Sequence, residues 1–270
     1  MTKRQLKLMS ILAHPDDESM GTGGILAKYA AEGVETYLVT ATRGERGWWG
    51  DEAEYPGPEA VGDTREQELQ AAARVLNLQE VNVLGYLDKE LDQAEPDEVI
   101  GKLVAHLRRV RPQVVVSFGP YGYYGHPDHI AISQFTTAAL VAAADPSYNG
   151  KQADPPHRVD KLYYLAATKQ AQEIYEAAFG ELDTTVDGQE RESTPWPGWA
   201  ITSRIDTSRC WKIVWQAIAC HRSQLPGYQS LLDLPQEYHR KLWGAQTFYR
   251  VYSLTNGGRD IETDLFAGLR

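Results

Sequence analysis

Residues 6–41, LKLMSILAHPDDESMGTGGILAKYAAEGVETYLVTA, decide the fold. The apolar run at 6–13 is too short for a helix and stops at a polar turn. GILAKYAAEG (24–33) then shows helical spacing and closes on Gly33, a favourable C-terminal cap. VETYLVTA (34–41) is again short, apolar and rich in β-branched residues, so the order is strand, helix, strand. Two more such runs lie at 80–85 (EVNVLG) and 113–119 (QVVVSFG). Between them, DTREQELQAAARVLN (63–77) begins with Asp63 and Thr64 as capping candidates, and EPDEVIGKLVAHLRRVRP (95–112) has Pro96 near its first turn and arginines at its end. Repetition of this kind predicts an α/β protein with a Rossmann-like, doubly wound and mostly parallel sheet.

Beyond residue 128 the pattern continues with a helix (129–144), a linker rich in Pro, Asp and Gly (145–158), a strand (161–166) and a helix (170–180). Residues 180–199 read as a long surface loop. Residues 200–254 read as a strand, a helix, a shorter helix and the final strand TFYRVYSL. These elements elaborate the C-terminal part of the sheet within one domain spanning 1–270.

The 270-residue chain has a formal net charge of -10, which disfavours nucleic acid and anionic membrane as partners because both reward basic surface. No run of about 20 apolar residues suggests a membrane span, and no signal peptide is recognisable. The two cysteines, Cys210 and Cys220, fall in one helical stretch about 15 Å apart, too far to bridge each other. Reduced thiols fit a cytoplasmic protein. Composition does not decide whether the chain forms a homo-oligomer.

In a doubly wound sheet, ligands bind outside the carboxyl ends of the strands, where strand order reverses. With the order 3-2-1-4, AHPDDE (13–18) after strand 1 and YGHPDH (124–129) after strand 4 face each other across that crevice. One acid after a strand is explained by capping the next helix. Three consecutive acids beside a histidine repel one another unless a cation relieves them. His14 and Asp17, spaced i and i+3, share one side of a turn, and a histidine of GHPDH, His126 or His129, completes a His₂Asp set. Three protein ligands with an open position are the pattern of catalytic zinc. Asp16 is left over as a base, with His126 and Tyr124 on the opposite rim. The glycines of GTGG (21–24) do not make a dinucleotide fingerprint, because the third glycine would belong at position 26, which is Leu26. They suit close strand–helix packing.

At this point the chain resembles the LmbE-like (PIG-L) family of metal-dependent N-acetylglucosamine deacetylases. The resemblance is carried by AHPDDE, TRGE (42–45), TREQE (64–68), GYLD (85–88) and YGHPDH, with weaker echoes in HRSQ (221–224) and QTFYRVY (246–252). It implies a Rossmann-like fold and a zinc, in some members ferrous, site with His14, Asp17 and His129 as ligands. It further implies Asp16 as general base, His126 as oxyanion stabiliser or acid, Asp128 orienting His126, and Tyr124 swinging toward the oxyanion between Gly122 and Gly125. Arg43, Arg65 and Asp88 match positions that contact the sugar. The expected activity is removal of an N-acetyl group from an amino sugar or its conjugate. Hydrolysis of a non-sugar amide, or metal-stabilised binding without turnover, are the alternatives. The segment RGWWGDEAEYPGPEA (46–60) and Trp196 and Trp199 depart from the family pattern and leave the substrate open.

Overall fold

The computed structural model describes residues 5–148, 154–179, 184–186, 188–191 and 193–270. Its first half is built from β1 (Lys7–Leu12), α1 (Gly23–Ala31), β2 (Glu35–Thr42), α2 (Pro58–Leu76), β3 (Glu80–Tyr86), α3 (Pro96–Val110) and β4 (Val114–Ser117). One-turn α4 (Gly122–Gly125), α5 (Pro127–Ala144), β5 (Lys161–Leu165) and α6 (Lys169–Phe179) follow. The hairpin β6 (Thr184–Val186) and β7 (Gln189–Arg191) precedes β8 (Ser203–Asp206), α7 (Trp211–Ile218), α8 (Gln229–Leu232), α9 (Gln236–Trp243) and β9 (Ala245–Ser253).

Seven strands form one sheet in the order β3-β2-β1-β4-β5-β9-β8. The first five are mutually parallel, with Ser10 of β1 level with both Leu38 and Val116, while β9 runs antiparallel to β5 and β8 antiparallel to β9. The order follows from burial. β1 and β4 are covered on both faces and occupy the centre, whereas edge strand β8 alternates buried and exposed residues. Helices α1 and α2 pack with α7, and α3 packs with α5, so the sheet is wound on both sides. One hydrophobic cluster runs from Leu8 through Val115 to Phe266. Cys210 and Cys220 flank α7 as free thiols.

Two boundaries differ from the sequence reading. Helix α2 starts at Pro58 rather than Asp63, because proline suits the first helical position and Gly57, at φ 93°, turns the chain into it. Part of the expected loop 180–199 is the β6–β7 hairpin; positions 180–183, 187 and 192 lie outside the described residues, as do 149–153 of the linker. Between β1 and α1, Glu18–Thr22 form a π-turn, which delays the helix to Gly23. The GTGG glycines serve packing, since a Cβ on Gly24 would stand 2.9 Å from Thr207 Cβ and from Gln246 Oε1.

Candidate metal centre

The carboxyl ends of β1 and β4 lie side by side, and the polar segments that follow them close over one cavity of about 710 Å³. His14, Asp16, Asp17, Arg65, Asp88, Tyr124, His126 and His129 line it. At its centre His14 Nδ1 stands 3.1 Å from His129 Nε2. Asp17 Oδ1 is 3.4 Å from His129 Nε2, and its Oδ2 is 3.7 Å from His14 Nδ1. Atoms at the corners of a tetrahedron around zinc, with bonds of about 2.0–2.1 Å, lie roughly 3.3 Å apart. The closest approaches of the three residues fall near that edge length, Asp17 meeting His129 through Oδ1 and His14 through Oδ2.

Their partners decide which lone pairs point inward. His14 Nε2 meets Asp88 Oδ1 and Asp128 Oδ2, each at 3.1 Å, so it carries the proton and leaves Nδ1 free. His129 Nδ1 donates to the Gly122 carbonyl at 3.1 Å, which leaves Nε2 free. Asp17 Oδ2 accepts from the amides of His14 (2.8 Å) and Ala13 (3.2 Å), turning Oδ1 toward His129. Two imidazole nitrogens and a carboxylate thus face one another, an arrangement relieved by a proton on His14 Nδ1 or by a cation between them. Among the described residues, two sets of ligand atoms lie mutually within 4.8 Å, His14 with His126 and His129, and His14 with Asp88 and Asp128. Because Asp88 and Asp128 meet His14 through Nε2, they form an outer layer behind the inward nitrogen.

Protein charges alone show the same demand. Burial opposes charge on His14, yet Asp88, Asp128 and Asp17 outweigh it and hold its pKa well above the usual value. Burial, and then the charge on His14, drives His129 well below its usual value. Burial lifts Asp16 and Asp17 to about 6 each, against the pull of Arg65 on Asp16 and of His14 on Asp17. His126 is pulled down to about 3 by burial and by the two neighbouring histidines. Its Nδ1 accepts from the Asp128 amide at 3.2 Å, so the neutral ring keeps its proton on Nε2.

Asp16 sits at φ 99°, a left-handed conformation that non-glycine residues seldom adopt. Contacts at its amide, its carbonyl and its carboxylate hold it there. Its amide donates to Glu18 Oε2 at 2.9 Å, its carbonyl accepts from Ser19 and Met20, and its Oδ2 faces Arg65 Nη2 at 3.2 Å. Arg65, from α2, also donates to the Gly44 and Pro15 carbonyls, and its guanidinium fits because Gly44 and Gly47 lack a Cβ.

Several expected roles shift. Asp128, in the first turn of α5, does not orient His126 through its carboxylate. That group reaches across to His14 and to the amides of Lys89 (2.7 Å) and Leu91 (3.2 Å) in the loop after β3. Asp88 lines the cavity but spends Oδ1 on His14 and Oδ2 on the Arg46 amide. Arg43 does not line the cavity and is held by Glu45 and Asp63. Tyr124 stands edge-on to His129, with ring centres 5.1 Å apart. Trp48 and Trp49 line the cavity, Trp49 Nε1 donating to Gln224 at 3.1 Å, whereas Trp196 stacks on Tyr249 and Trp199 is 87% exposed. The sequence reading missed Glu18 and His221, a buried pair with Nε2 and Oε1 2.8 Å apart. Their signal was the pairing of AHPDDE with HRSQ, 202 residues downstream of Ser19, which spacing alone does not connect.

A family model described as PIG-L, GlcNAc-PI de-N-acetylase, matches residues 9–140. The chain is 34% identical to a 1D-myo-inositol 2-acetamido-2-deoxy-alpha-D-glucopyranoside deacetylase of Streptomyces griseus, over 97% of this chain and 89% of that one. It is 27% identical to a mycothiol S-conjugate amidase of Streptomyces coelicolor, over 98% of each. The crystal structure of the conserved protein TT1542 from Thermus thermophilus superposes with a TM-score of 0.67 at 26% identity, covering 94% of this chain and 98% of that one.

Proposed function

The chain belongs to the PIG-L/LmbE-like deacetylase family, and on that premise we propose that it is a zinc-dependent hydrolase removing the N-acetyl group of an N-acetylglucosamine-type amino sugar or its conjugate. The observation that carries this reading is the approach of His14 Nδ1, His129 Nε2 and the Asp17 carboxylate to within 3.1–3.7 Å of one another, with an outer partner on the far nitrogen of each histidine. Imidazole and carboxylate donors suit zinc and also ferrous iron.

A divalent cation bound there supplies a Lewis acid for the amide oxygen and lowers the pKa of water to about 7. Asp16, beside the three ligands and braced by Arg65, takes the proton of the attacking water and returns it to the departing amine nitrogen. His126, neutral and protonated on Nε2, donates to the carbonyl oxygen as charge develops on it. Tyr124, across from His129, adds a second donor on that side. Asp88 and Asp128 hold His14, so they act on the ligand and leave the sugar to the wall formed by Arg46, Lys89, Trp48 and Trp49.

The test is acetate release from N-acetylglucosamine conjugates by the dialysed protein. Release on adding zinc, abolished by a chelator and restored by excess metal, is the expected result. A second reading, hydrolysis of a non-sugar amide, draws on the likeness to an amidase. It is preferred if simple N-acetyl amides are cleaved and the sugar conjugates are not.

A further inference from the structure

The cavity has two wings of opposite chemistry, one on each side of the histidine–aspartate centre. On the side of β2 and β3 the wall carries Arg46, Lys89, Trp48 and Trp49, with Arg65 and Asp88 behind them held by Asp16 and His14. Over β5 and β9 it carries Leu165, Ala166, Ala171, Tyr175, Leu242 and Trp243. Strand order separates the wings, because His14 follows β1 and His129 follows β4, between β2 on one side and β5 on the other. Trp243 is 1%, Ala166 2% and Leu165 7% exposed, so a group entering the second wing is surrounded by carbon and removed from water. The polar side chains there are already engaged within the protein. Gln246 donates to the Gly21 carbonyl and accepts from the Ile25 amide, and Thr247 donates to the Ala166 carbonyl. The other polar atoms of that wing are few, the Tyr175 hydroxyl and the Trp243 indole Nε1, which interact with each other.

We propose that the apolar wing is an acyl-chain subsite, so that the preferred substrates are amino sugars N-acylated by a chain longer than acetyl. This rests on the reading of the metal centre given above. In a planar trans amide the acyl chain and the group borne by nitrogen leave in opposite directions. With the carbonyl at the centre and the hydroxyl-rich sugar over β2 and β3, the chain is directed over β5 and β9. The reverse orientation would bury sugar hydroxyls without partners. A cavity of about 710 Å³ has room for both groups at once. In the reaction, the oxygen of water bonds to the carbonyl carbon and the C–N bond breaks with its electron pair on nitrogen. Both protons of water end on that nitrogen, giving a fatty carboxylate and the amino sugar as its ammonium form.

The experiment compares kcat/KM of the zinc-loaded protein for glucosamine conjugates N-acylated with acetyl, butanoyl, hexanoyl and octanoyl groups. Each methylene buried is expected to raise kcat/KM about threefold until the wing is full. Ala171→Phe, which fills the wing from α6, should lower the octanoyl-to-acetyl ratio at least tenfold. Cleavage of acetyl alone, or a ratio unchanged in Ala171→Phe, overturns the subsite and leaves the deacetylase reading standing. A gain seen only when the alkyl chain is moved to the anomeric oxygen assigns the wing to the aglycone and also overturns it. If no conjugate is cleaved, the deacetylase reading fails. Calorimetric affinities of the same acyl series still decide the subsite, and equal affinities for acetyl and octanoyl conjugates overturn it.

Discussion

Two adjacent acids, Asp16 and Asp17, point different ways because the chain between them is bent into a rare conformation. Asp17 turns back on the strand end, where the Ala13 and His14 amides hold one of its oxygens. Asp16, at φ 99°, is left facing Arg65 and the cavity. Opposite phenotypes follow. Asp16→Asn should bind zinc normally and lose activity by about 10²–10⁴-fold, the scale of a missing acid–base group. Asp17→Asn should lose zinc on dialysis, read by elemental analysis, and regain part of its activity in excess zinc. Rescue of Asp16→Asn but not of Asp17→Asn would reverse the two assignments. Tyr124→Phe should lower kcat with KM nearly unchanged if the hydroxyl acts on the developing oxyanion, and a change confined to KM would make it a binding contact.

Among the elements, the short segment 221–224 after α7 ties the centre together. His221 pairs with Glu18, whose other oxygen holds the Asp16 amide. Ser223 donates to Glu68, one turn beyond Arg65 on α2. Gln224 donates to the Gly47 carbonyl and accepts from Trp49. One segment therefore braces the base, the helix carrying its arginine and the aromatic wall. Outer partners of this kind typically contribute about 10–100-fold to activity. His221→Ala should lower kcat by that order with KM and zinc content unchanged, and His221→Gln, which keeps a donor, should recover part of it. An unchanged kcat would reduce His221 to a packing role. Replacing Trp48 and Trp49 together by Ala should change the preference among sugar conjugates at constant zinc content. Unfolding, followed by circular dichroism, would instead mark them as anchors of the loop.

At the scale of the whole molecule, the C-terminal tail is stapled to the far end of the sheet through Glu262. This carboxylate accepts from Lys161, Tyr163, Ser203 and Asn256 and pairs with Arg250. Burial opposes its charge, but the hydrogen bonds prevail and pull its pKa from 4.5 to about 2. A carboxyl group whose folded-state pKa is depressed stabilises the fold fully above its unfolded value and loses that contribution as pH falls through the folded one. The melting temperature of the protein should therefore fall between about pH 4.5 and pH 2, and the slope there should be shallower in Glu262→Gln. Equal slopes would remove Glu262 from the acid transition.

The sheet order β3-β2-β1-β4 and the meeting of AHPDDE with YGHPDH were legible in the sequence. Both follow from local signals, since short β-branched runs alternate with capped helices and a parallel sheet gathers its polar turns at one end. The hairpin within 180–199 and the early start of α2 at Pro58 were not, because weak propensities there yield to packing. Likewise, the residues by themselves join His14 and Asp17 to His126 or His129, and the family resemblance singles out His129, but neither says what stands behind each ring. Only the tertiary structure brings Asp128 and Asp88 to His14 Nε2, sets Arg65 against Asp16, and joins Glu18 to His221. These pairings join distant parts of the chain, 49 residues apart for Arg65 and Asp16 and 203 for His221 and Glu18. Spacing along the chain has no reach over such separations. The partner each buried charge obtains is decided by which strand ends the sheet sets side by side, since a buried charge left without one is costly.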